Sequence, residues 1–128
     1  MHDCDAPPPP LLLVAIEQFN RGEYFEQHEI LEALWREESR GVRGLYQGLL
    51  QIGVACYHVQ RRNRHGAEVM LERGLARLAG LPAVCRSIDV ARLIDEAARM
   101  LAWLRAHPSD DLAAFDWALA PRVVCRDG

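Results

Sequence analysis

The stretch FNRGEYFEQHEILEALW, residues 19–35, decides how the chain is interpreted. Its apolar residues recur three and four positions apart, which is the spacing of an amphipathic helix. On a helical wheel His28 and Glu32 fall within the apolar stripe, one turn apart and followed by Trp35. Because ionisable groups are costly to bury, we expect these side chains to have partners or a purpose in the interior. The stretch therefore predicts a helix that carries a site.

Helical periodicity continues on both sides of this stretch. Pro10 suits the first position of a helix, where its missing N–H group costs nothing. The third helix is apolar nearly all round, so it is expected to be central. Either Ser87 or Asp89 is expected to cap the fifth helix. The predicted helices span about residues 10–20, 23–39, 42–62, 67–78 and 90–107.

The short connections between these helices favour antiparallel neighbours. We therefore predict an all-α fold with five main helices, arranged as crossed antiparallel helical hairpins or a bundle. No segment alternates with period two for long enough to predict a strand. Residues 1–9 are expected to be a flexible proline-rich leader, residues 10–107 a helical domain, and residues 108–128 a C-terminal tail that packs on that domain.

The composition narrows the function classes. The net charge is −3, and this mild acidity argues against nucleic acid as a partner. The chain shows neither a secretory signal nor an apolar run long enough to cross a membrane, so we expect a cytoplasmic protein without a membrane partner. Its four cysteines match neither a zinc pattern nor a CxxC pair, and we expect them to be reduced thiols. A homo-oligomer is left open.

The third predicted helix carries a polar ladder of Gln47, Gln51 and His58 on one face. Gly44 and Gly48 share that face, and small residues allow a neighbouring helix to approach closely. We expect this face to pack against the His28 and Glu32 side of the second helix. Two imidazoles, a carboxylate and two amides would then converge.

Imidazole nitrogens and carboxylate oxygens are donors that suit divalent Zn, Mn, Ni or Fe. The sequence therefore nominates His28, Glu32 and His58 as metal ligands, with Glu32 serving either as a ligand or as the group that orients His28. HEILE is not the HExxH motif of zinc proteases, because its fifth residue is Glu32. A satisfied structural network and a small-molecule or catalytic site remain as alternatives. The residues expected to line the site are Tyr24, Glu29, Trp35, Gln47, Gln51 and Asn63.

The two blocks FNRGEYFEQHEILEALW and LYQGLLQIGVACYHVQRRNRHGA together resemble the domain-of-unknown-function 309 family of bacteria and archaea. The resemblance rests on a His-x-x-x-Glu-x-x-Trp pattern, met by His28, Glu32 and Trp35. A second block of Gln, His, Asn and Gly-Ala is met by residues 47–67. The resemblance implies a bacterial source, an all-helical fold of crossed hairpins and a His–Glu motif that binds metal. It leaves open whether the protein is an enzyme.

The sequence thus predicts a small cytoplasmic helical protein with a buried polar site that binds a divalent metal. The alternative is a non-enzymatic interaction or scaffold module, in which the same polar cluster is a structural network. Whether the protein is an enzyme, and which small molecule it would bind, is left undecided.

Overall fold

The fold is built almost entirely from helices. The computed structural model describes residues 3–126, and within them lie five α-helices, so the predicted all-α class and the number of main helices are confirmed. The helices are α1 (Pro10–Asn20), α2 (Tyr24–Glu37), α3 (Arg43–Gln60), α4 (Arg64–Leu78) and α5 (Val90–Ala106).

Local chemistry explains where several helices begin. Pro10 opens α1 and donates no hydrogen bond there. Asn63 caps α4, because its Oδ1 accepts a hydrogen bond from the backbone N–H of Gly66 at 2.9 Å. Asp89 caps α5 in the same way by accepting from the N–H of Arg92 at 3.0 Å. Of the two caps considered for the fifth helix, Asp89 is therefore the one used.

α3 lies at the centre of the molecule, as its all-round apolar pattern predicts. It packs on α2 along one side and on α4 along the other, while α1 covers α2 and α5 covers α4. Ile52, Ala55 and Cys56 of α3 are completely buried. The core is thus organised around one helix that has little contact with water.

The small-residue side of α3 faces α4 and not α2, which corrects the predicted packing. A Cβ atom on Gly48 would lie 2.7 Å from Cδ2 of Leu78, and one on Gly44 would lie 3.3 Å from the carbonyl oxygen of Arg77. Both contacts are with α4. The glycines allow a close helix crossing, as expected, but the neighbour is the helix that follows α3.

A two-stranded antiparallel sheet precedes α5, whereas the sequence predicts no strand. β1 (Val84–Cys85) pairs with β2 (Ile88–Asp89). Ile88 also forms a bridge with Cys125 near the C-terminus. Strands of two residues are too short to produce an alternating pattern, which explains why sequence periodicity misses them.

The expectation that all four cysteines are reduced is wrong for two of them. Cys4 and Cys85, separated by 81 positions, form a disulfide. Cys4 is 5% exposed and lies in a 3₁₀ turn, Asp3–Asp5, and its carbonyl accepts a hydrogen bond from the N–H of Arg86 at 2.8 Å. Only the fold brings these residues together, so spacing alone does not reveal the pair.

The C-terminal segment lies against the helices. It contains two 3₁₀ turns, Leu112–Ala114 and Trp117–Leu119, and buries Phe115 and Val123. The end of the predicted tail, residues 127 and 128, lies outside the described residues. The division of the chain into leader, helical domain and tail stays a prediction. Across residues 3–126, no helix has the length and apolarity needed to span a membrane.

Candidate functional site

His28 and Glu32 lie on α2 at the edge of its buried face. Nε2 of His28 is 3.4 Å from Oε2 of Glu32, and the two side chains are 36% and 29% exposed. Oε1 of Glu32 accepts a hydrogen bond from Nη2 of Arg36 at 2.5 Å. The expectation that this pair is buried is therefore wrong. The buried stripe of α2 runs through Tyr24, Gln27 and Leu31, so that His28 and Glu32 stand beside it.

His58 lies in the last turn of α3 and is tied to the start of α4. Its Nδ1 is 3.4 Å from Nδ2 of Asn63, whose Oδ1 caps α4. The side chain of Asn63 thus contacts the imidazole and closes the helix start at the same time. This contact fixes His58 against the α3–α4 turn.

The two histidines line one cleft between α2 and α3. The cleft has a volume of about 190 Å³, and its other walls are the side chains of Tyr24, Phe25, Val54 and Tyr57. The rings of Phe25 and Tyr57 have centroids 5.6 Å apart. Phe25 is 53% exposed, so the cleft opens to solvent. It combines two imidazoles with an aromatic and apolar wall.

Most of the other nominated residues lie elsewhere. Within residues 3–126 the walls of the cleft include Tyr24 but not Glu32, which reaches the cleft only through His28. Trp35 sits near the other end of α2, where the guanidinium of Arg43 lies 4.6 Å from the centre of its ring. Glu29 is exposed.

The two glutamines of α3 do not reach the cleft either. Gln47 is partly exposed, and Oε1 of Gln51 is buried without a hydrogen-bond partner among the described residues. Their side of the helix is the one that carries the glycines facing α4. The polar ladder predicted on α3 therefore does not converge on His28.

Two features next to the cleft are not apparent from the sequence pattern. Gln27 is completely buried in α2, where its Nε2 donates to the carbonyl of Tyr24 at 2.9 Å. The Tyr24 hydroxyl lies beside the thiol of Cys56. Burial raises the pKa of Tyr24 well above its ordinary value, and the Cys56 thiol acts in the same direction. Burial also raises the pKa of Cys56 to about 12, so this thiol stays protonated.

The sequence feature that corresponds to the buried Gln27 is a glycine on the neighbouring helix. Gly53 lies opposite Gln27 on α3, and a Cβ atom there would fall 2.3 Å from Nε2 of Gln27. A small residue on one helix facing a long polar residue on its neighbour indicates a side chain laid across the interface. The pairing is recognisable only when the relative rotation of the two helices is known.

The groups in or beside the cleft that suit a metal ion are its two imidazoles and the carboxylate behind one of them. In the described part of the chain, no three His, Cys, Asp or Glu side chains form a group that could hold a metal ion. Nδ1 of His28 and Nε2 of His58 have no hydrogen-bond partner among the same residues. Each histidine therefore has one nitrogen beside a polar neighbour and one available to a ligand.

The comparisons with known proteins match part of the helical core. A family model described as "Domain of unknown function (DUF309)" matches residues 12–70. The chain is also 41% identical over 54 residues to the "Uncharacterized protein YpuF" of Bacillus subtilis (strain 168), an alignment that covers 41% of this chain and 31% of that protein. The chain thus spans about a third of the length of this relative. No solved structure matches the chain significantly. Residues 12–70, which include both histidines of the cleft, thus match the model of the DUF309 family.

Proposed function

We propose that the cleft between α2 and α3 binds a divalent metal ion through His28 and His58. The observation that supports this proposal is that both imidazoles line the same cleft of about 190 Å³. Imidazole is a suitable ligand for Zn, Mn, Ni and Fe, and water would complete the coordination of an ion held by two histidines.

The immediate neighbours of the two histidines fit this role. A metal-binding histidine commonly has its second ring nitrogen held by a carboxylate or another polar group, which fixes the tautomer and the ring orientation. Glu32 stands 3.4 Å from His28, and Asn63 stands 3.4 Å from His58. We therefore assign Glu32 the role of an orienting residue, not of a ligand. A bound ion would supply a Lewis acid that polarises a ligand or activates water.

Metal binding is tested on full-length, untagged protein purified without a chelator. We expect Zn, Mn, Ni or Fe(II) to bind stoichiometrically and to raise the melting temperature, because a ligand that binds only the native state stabilises it by about 2.7 kcal/mol at 100 times its Kd. His28→Ala and His58→Ala should each weaken binding about tenfold or more, as loss of a ligand to the metal requires.

His65→Ala is the matched control, since His65 is exposed on α4 and does not line the cleft. It should bind metal as the wild type does. Substoichiometric metal together with a melting temperature that none of the four ions changes would overturn the proposal. Equal binding by His28→Ala and the wild type would overturn the assignment of the ligands.

A scaffold role for the same cluster is the second candidate, and one observation favours it. Glu32 lies between His28 and Arg36 on α2, and Asn63 joins His58 to the cap of α4, so the polar groups have partners within the chain. In this case His28→Ala loses stability and no metal binds. A partly exposed pair of this kind contributes roughly 0–1 kcal/mol, so the loss is expected to be small.

We also propose a cytoplasmic location and no nucleic-acid partner. The net charge of −3 supports the second point, because phosphate binding requires a basic face. Self-association stays an open prediction, and so does enzymatic activity.

A further inference from the structure

Tyr24 also lines a second cavity, which has a volume of about 530 Å³. This cavity lies between the turn that joins α1 to α2 and the C-terminal segment 117–122. It is distinct from the histidine cleft, since among the described residues only Tyr24 contributes to both. Its volume falls within the range of roughly 300–1,000 Å³ that small-molecule sites occupy.

The cavity has an aromatic wall. The indole of Trp117 stacks on the ring of Tyr24 with centroids 6.1 Å apart and planes inclined by 23°. Phe115 holds the indole from its edge at a centroid distance of 5.0 Å. Trp117 nevertheless remains 42% exposed. An exposed indole fixed by two other rings offers a rigid surface against which a planar group can pack.

The cavity also has a guanidinium, that of Arg122, which forms no salt bridge among the described residues. The guanidinium of Arg122 donates to the carbonyl of Asn20 at 3.2 Å, while its backbone N–H donates to Glu96 at 2.9 Å. Within residues 3–126 no carboxylate forms an ion pair with this guanidinium, and no acidic side chain lines the cavity. Arg21 lines the cavity too, but it is paired with Glu17.

The remaining polar groups around Arg122 are committed and hold the segment in place. The side-chain amide of Asn20 donates to the carbonyl of Val123 and accepts from its N–H, both at 2.8 Å. The amide of Gln60 donates to the carbonyl of Gly22 at 3.2 Å. The guanidinium of Arg122 therefore has donors left for a ligand, in a position that the surrounding contacts define.

We propose that this cavity binds a small aromatic anion, with its ring against Trp117 and its carboxylate or phosphate on Arg122. A guanidinium recognises both anions through paired N–H donors, so the two share one chemistry at this site. A net positive lining excludes aromatic cations, and the absence of a carboxylate among the described lining residues leaves the anion without a competitor.

The test is calorimetric titration of the full chain with 2-naphthoate, 2-naphthyl phosphate and the neutral 2-naphthamide. We expect saturable binding of at least one anion and about tenfold weaker binding of the amide, because a charge-assisted hydrogen bond is lost. Arg122→Gln should weaken anion binding about tenfold, and Trp117→Leu about fivefold. Arg99→Gln is the matched control, since Arg99 is paired with Asp95 outside this cavity.

Tighter binding of 2-naphthoate would identify the ligand's anionic group as a carboxylate, and tighter binding of 2-naphthyl phosphate would identify it as a phosphate. Binding of neither anion would overturn the proposal, and so would an Arg122→Gln variant that binds both as the wild type does. Thermal melting of each variant establishes that it is folded before it is titrated. Neither Arg122 nor Trp117 lines the histidine cleft, so this result does not depend on metal binding.

Discussion

At the scale of single residues, Gln27 is the polar group most deeply committed to the core. It is completely buried, and its Oε1 has no hydrogen-bond partner among the described residues. A buried acceptor without a partner costs about 1–3 kcal/mol. His28, its neighbour in the sequence, is 36% exposed, so that its burial carries a smaller desolvation penalty. The polar residue that strains the core is therefore not the one that the sequence motif highlights.

We predict that Gln27→Met leaves the protein as stable as the wild type or raises the free energy of unfolding by about 1 kcal/mol. Methionine has a similar shape and removes the stranded acceptor, while the carbonyl of Tyr24 keeps its helical partner. Urea denaturation measures the change. Gln47→Met, at a partly exposed position, is the control and should change stability by less than about 0.5 kcal/mol. A loss above about 2 kcal/mol would show that Oε1 of Gln27 has a partner, such as a bound water.

At the scale of secondary-structure elements, the crossing of α3 and α4 sets the width of the core. A Cβ atom on Gly74 would lie 2.7 Å from Cγ1 of Ile52 and 3.2 Å from the carbonyl oxygen of Gly48. The backbones of the two helices therefore meet with no side chain between them. The same two helices are joined by the short turn 61–63, where Asn63 meets His58.

We predict that Gly74→Ala destabilises the protein by about 1–3 kcal/mol, although alanine favours a helix by up to about 1 kcal/mol. The added methyl group would overlap Cγ1 of Ile52 and would also lie 3.2 Å from the carbonyl oxygen of Gly48. Thermal and urea denaturation give the change. Gly80→Ala is the matched control, because a Cβ atom there has nothing within 4 Å. Equal stability of Gly74→Ala and the wild type would mean that the helices are less closely packed.

At the scale of the whole molecule, the Cys4–Cys85 disulfide joins the N-terminal turn to the β1–β2 hairpin. It connects positions 81 residues apart and therefore encloses α1 to α4 in one covalent loop. Both cysteines lie outside residues 12–70, the part that matches the family. Disulfides persist mainly in oxidising compartments, whereas the cytoplasm keeps most thiols reduced. The disulfide therefore argues against the proposed cytoplasmic location.

We predict that reduction lowers the stability by about 4.5 kcal/mol, the chain-entropy value for a loop of this length. Melting curves with and without a reductant measure the effect, and a Cys4→Ser/Cys85→Ser variant should not respond to the reductant. Alkylation of the denatured, unreduced protein followed by mass spectrometry is the direct check. Modification of both Cys4 and Cys85 under these conditions would show that the bond does not form. Alkylation in intact cells before lysis reports its state at the protein's own location.

The sequence by itself was sufficient for the helical class, the number of helices and the central position of α3. These properties follow from apolar spacing, Pro10 and capping side chains, which act within one or two turns. The residues of the candidate site could be nominated in the same way, since His28, Glu32 and His58 stand out as ionisable groups on apolar helices.

Only the tertiary structure decided which of these residues meet. A rotation of α2 by one position moves His28 from the buried face to its edge and buries Gln27 instead. The glycines of α3 allow a close neighbour, but they do not specify whether α2 or α4 occupies that side. The Cys4–Cys85 pair and the cavity beside Arg122 join segments that are about 80 or more positions apart in the chain. Local spacing carries no information about such contacts. They depend on how the packed helices are rotated about their axes and on where the N- and C-terminal segments pack against them.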